Sequence, residues 1–168
     1  MSTSLKTNGT AGTTKGAVGV ELQLVTFDVA GEEYAVNILS VQEINRMMEL
    51  TRVPQSPPEV EGVINLRGQI IPVVDLRKTF NLPQAAHSES SRIVVVEVHS
   101  KMVGLIVDRV HEVRRIDQSI VEPPPAMVCS LRSEFIDGVG KLEDRLIILL
   151  NLSKLFPESS MTKMSNAA

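Results

Sequence analysis

Three histidines, one cysteine and a scatter of carboxylates are the side chains of this 168-residue chain that could do chemistry. His87, His99 and His111 have no metal-ligand spacing with one another or with Cys129. His87 lies in a Ser-rich linker and His99 at a predicted hairpin turn, so solvated or capping roles are expected of them. Cys129 stands alone, so it forms no disulfide within the chain, which fits a reducing compartment; it reads as inert packing rather than as a catalytic thiol. "GVGK" at 138–141 echoes the end of a phosphate-binding loop, but Phe135 stands where the first Gly belongs and Leu142 where Ser or Thr belongs. No G-x-S-x-G stretch exists and no Ser is placed beside a candidate base. Asp108 follows an apolar run and suits a turn or surface role, and Asp75 suits a helix cap. "PQSPP" at 54–58 reads as a rigid loop. The chemistry to expect is therefore recognition: no catalytic residue, no cofactor and no metal.

Composition narrows the kind of recognition. Net charge is −3, from 17 basic and 20 acidic residues spread along the chain, and no basic block offers a footprint for phosphates. Nucleic acid is not an expected partner. No apolar run approaches the roughly 20 residues of a membrane span, so direct membrane insertion is not expected. The hydrophobic fraction is 43%, chiefly Val, Ile and Leu, with no Trp, one Tyr and four Phe. Such β-branched usage favours strands. Residues 1–20 are rich in Gly, Ser and Thr without the apolar stretch of a secretory signal. They read as a disordered tail, and 158–168 as a second flexible tail. A cytoplasmic protein is expected.

The elements that must position any site appear twice. Residues 24–44, "LVTFDVAGEEYAVNILSVQEI", align without gaps over 93–113, "IVVVEVHSKMVGLIVDRVHEV", at an offset of 69. Residues 61–80, "EGVINLRGQIIPVVDLRKTF", align over 137–156, "DGVGKLEDRLIILLNLSKLF", at an offset of 76, with seven of 20 positions identical. The spacing predicts two homologous β units, about 24–80 and 92–156. Each has two strands around a turn ("AGEE" or "HSK"), then a third segment, "SVQEI" or "RVHEV", that fits a strand or a short helical turn. A hairpin with its turn at "LRGQ" or "LEDR" follows, and then a short helix capped by Asp75 or Asn151. A unit of about 60 residues buries little surface alone, so the two should pack together and leave a seam.

Comparing the copies isolates one charged pair. Glu43 has its counterpart in Glu112, but Arg67-Gly68 is replaced by Glu143-Asp144. Only the first copy can therefore form a Glu43–Arg67 ion pair, and the repeat fold does not require it. A solvated surface pair of small energetic weight would explain it. Gly68, which lets another backbone approach, and the neighbouring Val63, Ile64 and Leu66 favour partner recognition instead.

"EEYAVNILSVQEI", "EGVINLRGQIIPVVDL", "VGLIVDRVHEV" and "IDGVGKLEDRLIILLNLSKL" together resemble the CheW family of bacterial chemotaxis coupling proteins, over 22–157. The resemblance implies a mainly β fold: two homologous five-stranded SH3-like β-barrel subdomains sharing a hydrophobic core, with short helices after each barrel's last hairpin and exchange of elements between barrels possible. It implies a non-catalytic adaptor that joins methyl-accepting chemoreceptor tips to the regulatory domain of the histidine kinase CheA. Rings with other CheW-like domains and recruitment to membrane-associated receptor arrays go with that role. It also implies a receptor-binding groove at Val41, Glu43, Gly62, Arg67, Gly68 and Gly104, with Glu43 and Arg67 as its salt bridge. A CheW-like adaptor of a non-flagellar pathway and a small-molecule-sensing barrel pair are the alternative readings. The latter predicts a closed, polar-lined cavity.

Overall fold

The apolar runs become strands in a computed structural model, which describes residues 20–124 and 133–167. The first repeat supplies β1 (Glu21–Val29), β2 (Glu32–Asn37), β3 (Val41–Arg46), β4 (Val60–Leu66), β5 (Gln69–Asp75) and the short helix α1 (Leu76–Thr79). The second supplies β6 (Arg92–Val98), β7 (Lys101–Val107), β8 (Arg109–Asp117), β9 (Val121–Glu122), β10 (Ile136–Leu142), β11 (Arg145–Leu150) and α2 (Leu152–Leu155). A last helix, α3, covers Glu158–Ala167. Cys129 and most of the N-terminal tail lie outside the described residues.

The hairpin turns follow from backbone sterics. Ala30-Gly31, Arg67-Gly68 and His99-Ser100 all have positive φ at both positions, the geometry whose twist matches that of the flanking strands. The third segment of each repeat, open to either reading from sequence, is a strand: β3 and β8. Both short helices are capped as expected. Asp75 accepts a hydrogen bond from the Arg77 amide at 2.9 Å, and Asn151 one from the Lys154 amide at 3.0 Å.

The strands form two sheets, ordered β8-β1-β2-β11-β10-β9 and β3-β6-β7-β5-β4. The expected fold class, mainly β with two homologous subdomains around a shared core, is the observed one. The contiguous units expected at 24–80 and 92–156, however, are not the spatial subdomains. Each repeat lends its first hairpin to the other's sheet: β1–β2 pairs with β8 and β11, and β6–β7 with β3 and β5. The turn Ile38–Ser40 carries the chain from β2 in the first sheet to β3 in the second, and Asp108 does the same between β7 and β8. β3 then pairs with β6 of the other repeat, a choice made by long-range contacts and not by the local turn. The exchange is reciprocal in register. Val73 lies opposite Gly104 in the parallel β5–β7 ladder, and their repeat equivalents Leu149 and Ala35 lie opposite each other in β11–β2.

Alternation along each strand sends side chains to two places. One side of both sheets joins a shared core that includes Phe27, Tyr34, Val74, Val96, Leu105 and Leu150. The other side fills the interior of its own sheet: Ile64, Ile71, Val73, Ile93, Val95 and Ile106 in one, Leu24, Ala35, Ile116, Ile147 and Leu149 in the other. After β3 the chain returns to β4, where Thr51 and Val63 exchange backbone hydrogen bonds of 3.0 and 2.8 Å. In the first sheet, β9 does the same for β10. Gly62 makes this closure possible, because a Cβ there would sit 2.7 Å from the Thr51 carbonyl oxygen. Gly138, its repeat equivalent, lies in the same way beneath Val121 and Glu122.

The C-terminal segment departs from the expected flexible tail. It is helical as α3, and Met161 and Met164 are buried in the shared core. Two methionines three residues apart share one face of a helix, a pattern that the polar residues around them hide in composition. Among the described residues, no helix is long and apolar enough to cross a membrane.

Candidate functional site

Sheet order puts β3 and β4 at opposite ends of the second sheet, yet the side chains of Glu43 on β3 and Arg67 in the β4–β5 turn meet. Arg67 Nη2 lies 2.6 Å from Glu43 Oε1. The other carboxylate oxygen accepts a 2.8 Å hydrogen bond from Asn45 Nδ2. Glu43 is thus held on both oxygens and is 18% exposed, whereas the Arg67 side chain is 82% exposed. A register shift between Val41 and Glu43 marks a bulge in β3, a device that re-aims the side chains after it.

The turn that carries Arg67 is itself fixed. Asn65 Oδ1 accepts a 3.0 Å hydrogen bond from the Gly68 amide, and Gly68 has φ +81° with open space where a Cβ would stand. The arrangement presents a guanidinium with donors to spare, anchored at one corner and otherwise free to meet a partner. The same elements also expose apolar side chains: Ile44, which follows Glu43 on β3, and Ile70, just past the turn. Sequence reading missed these two isoleucines, because an apolar residue in a strand reads as core. Their repeat equivalents, Val113 and Leu146, are exposed as well, and the sequence carries no signal of it.

The other expected groove residues are placed differently. Val41 is half-buried and packs against the shared core. Gly62 is buried beneath Thr51. Gly104 is buried inside the second sheet, where a Cβ would come within 2.9 Å of Ile93 Cγ2 and 3.2 Å of Val73 Cγ2. Glu43, Arg67 and Gly68 therefore share one surface, while Gly62 and Gly104 let backbones close behind it. Glu112, the counterpart of Glu43, is exposed on β8.

Two aspartates with unusual environments serve the scaffold. Burial pushes the Asp75 carboxyl above its ordinary pKa, against the lowering effect of its cap hydrogen bond. Burial acts in the same direction on Asp108, but there the Arg77 guanidinium and the Ala30 amide outweigh it and hold the carboxyl below the ordinary value. Arg77 Nη2 lies 2.7 Å and Nε 3.2 Å from the two oxygens of Asp108, so α1 is tied to the β7–β8 corner. Asp108 thus takes a tethering role.

Comparison with known proteins bears on what this surface serves. The CheW-like domain profile matches residues 23–160. The chain is 33% identical over 146 residues to the chemotaxis protein CheW of Klebsiella aerogenes, covering 87% of this chain and 88% of that one. It is 36% identical over 134 residues to the chemotaxis protein CheW of Helicobacter pylori, covering 80% and 81%. The crystal structure of the scaffolding protein TtCheW from Thermoanaerobacter tengcongensis superposes with a TM-score of 0.76 at 39% identity, covering 87% of this chain and 94% of that one. These matches do not favour the small-molecule-sensor reading.

Proposed function

Because the chain belongs to the CheW-like domain family and is a chemotaxis adaptor, we propose that it couples the tips of methyl-accepting chemoreceptors to the regulatory domain of the histidine kinase CheA, without catalysis of its own. The receptor docks at the closing edge of the second sheet, where β3 meets the β4–β5 turn. A receptor tip presents an amphipathic helix, whose apolar side covers Ile44 and Ile70. Arg67, oriented by Glu43, fixes the register by donating hydrogen bonds to polar groups on that helix. Other faces of the two subdomains engage CheA and further CheW-like domains in rings, which brings the protein to membrane-associated arrays.

One observation carries this reading: a carboxylate held on both oxygens presents a mostly exposed guanidinium, on elements that also expose Ile44 and Ile70. The second copy, with Glu143-Asp144 at its turn, does without it. Capture of a purified receptor-tip fragment tests the proposal. Arg67→Glu is expected to keep the wild-type circular dichroism spectrum and to lose capture. Full capture by the folded variant would refute the docking role.

A further inference from the structure

We propose that Asp28, Glu33 and His111 form a binding site for a divalent transition-metal ion at the mouth of the first sheet. The three residues come from three neighbouring strands, β1, β2 and β8. One ligand atom from each lies within 4.8 Å of the other two, and His111 Nε2 is 2.8 Å from Asp28 Oδ1. One imidazole nitrogen and two carboxylate oxygens are a donor set that suits zinc and similar ions. A fourth position is left to water. The residues line a cleft of about 500 Å³.

One oxygen of the Glu33 carboxylate is what points to a ligand. The side chain is only 8% exposed, and Oε2 is buried without a hydrogen-bond partner. Oε1 faces Arg145 Nη1 at 3.5 Å, a long contact that orients the carboxylate but leaves both Oε2 and Arg145 Nη2 buried without a partner. Glu33 also lies directly opposite Asp28 across the β1–β2 ladder. Like charges in that relation repel, and a cation between them removes the repulsion. With Glu32 beside the cleft, three carboxylates outweigh the single charge of Arg145.

The repeat shows that the fold needs none of this. At the equivalent positions of the second sheet stand Glu97, Met102, Gln42 and Gln69. Met102 lies opposite Glu97 and packs on the interior cluster, where Glu33 instead brings a carboxylate. Gln42 Nε2 donates to Glu97 at 3.4 Å, a neutral version of the His111–Asp28 contact. Burying an unpaired carboxylate oxygen is costly, and an apolar residue at that place would avoid the cost. No ligand spacing is visible in the sequence because the ladder, rather than the chain order, brings the three side chains together.

The experiment uses the full chain, stripped with chelator and titrated with Zn²⁺ by calorimetry and with Co²⁺ by visible absorption. His111→Gln and Glu33→Met install the residues of the other copy, so both are expected to fold, as circular dichroism without metal checks. Wild type is expected to bind one ion and to gain thermal stability with it. Each variant should weaken binding by roughly tenfold or more. His87→Ala and His99→Ala should leave it unchanged. No uptake by wild type, or equal binding by wild type, His111→Gln and Glu33→Met, would overturn the assignment.

Discussion

Glu43 and Arg67 meet at 2.6 Å from the two ends of one sheet, so their ion pair spans the closure of that sheet and belongs to no ladder within it. With Arg67 largely in solvent, the pair contributes under about 1 kcal/mol to stability. Urea unfolding of Arg67→Ala should therefore show a loss no larger than that. The exchanged pair Glu43→Arg with Arg67→Glu separates two roles. If the arginine itself contacts the receptor, the double variant stays folded and fails to capture the receptor tip. Restored capture would show that the pair only holds the shape of the edge.

The glycines of the first repeat's last hairpin should respond according to place. Gly62→Ala sets a methyl group against the Thr51 carbonyl and should cost about 1–3 kcal/mol. Hydrogen exchange should then quicken at the Thr51 and Val63 amides, which close the sheet. Gly68→Ala meets no atom and only strains the turn, at about 1–2 kcal/mol. The Thr51 and Val63 amides should keep their protection relative to overall stability.

These contrasts show what was legible in the chain. The duplication shows in the sequence as recurring residues, while the turns at Arg67-Gly68 and His99-Ser100 and the caps at Asp75 and Asn151 are local features, written into neighbouring residues by sterics and hydrogen bonding. The Glu43–Arg67 pair was legible only because two copies could be compared. Partner choice between strands was not legible, since β2 pairs in parallel with β11 more than 100 residues away. Periodicity says which side of a strand is apolar and nothing about which strand lies beside it. The same gap explains Gly104, whose packing against Ile93 and Val73 depends on that pairing, and the helix α3, whose two buried methionines sit in a polar segment.

Asp75 and Asp108 should act on stability with opposite signs. The raised pKa of Asp75 means that the folded state holds its proton more tightly than the unfolded state. Its contribution therefore falls as pH rises from the ordinary value, near 3.8, to the raised one, and stays lost above it. Asp75→Asn keeps a capping side chain, as Asn151 shows, and should raise the melting temperature at neutral pH. The lowered pKa of Asp108 gives stability that is present above about 3.8 and lost as pH falls through the folded value. Asp108→Asn should lower the neutral-pH melting temperature and flatten the acid limb of the pH profile.

Helix α3 is expected to be part of the folded unit. Met161→Ala removes a buried side chain from the shared core and should cost about 2–5 kcal/mol by chemical denaturation. Ending the chain after Pro157 should lower stability further, by exposing the surface that Met161 and Met164 cover. An unchanged melting temperature in the shortened chain would contradict the helix's place in the core.

The reciprocal lending of hairpins sets an order of events during synthesis. When residues 20–80 have left the ribosome, the hairpins β1–β2 and β4–β5 are out, but β6, β7, β8 and β11, which flank them and β3, are still untranslated. The leading half must wait, with its apolar faces unmet, until β11 emerges to complete the parallel ladder with β2. Maturation is therefore a late, all-at-once step that depends on contacts distant in sequence, the kind that slows folding. A nascent chain stalled before residue 145 should remain a protease-sensitive client of chaperones, however complete its first repeat.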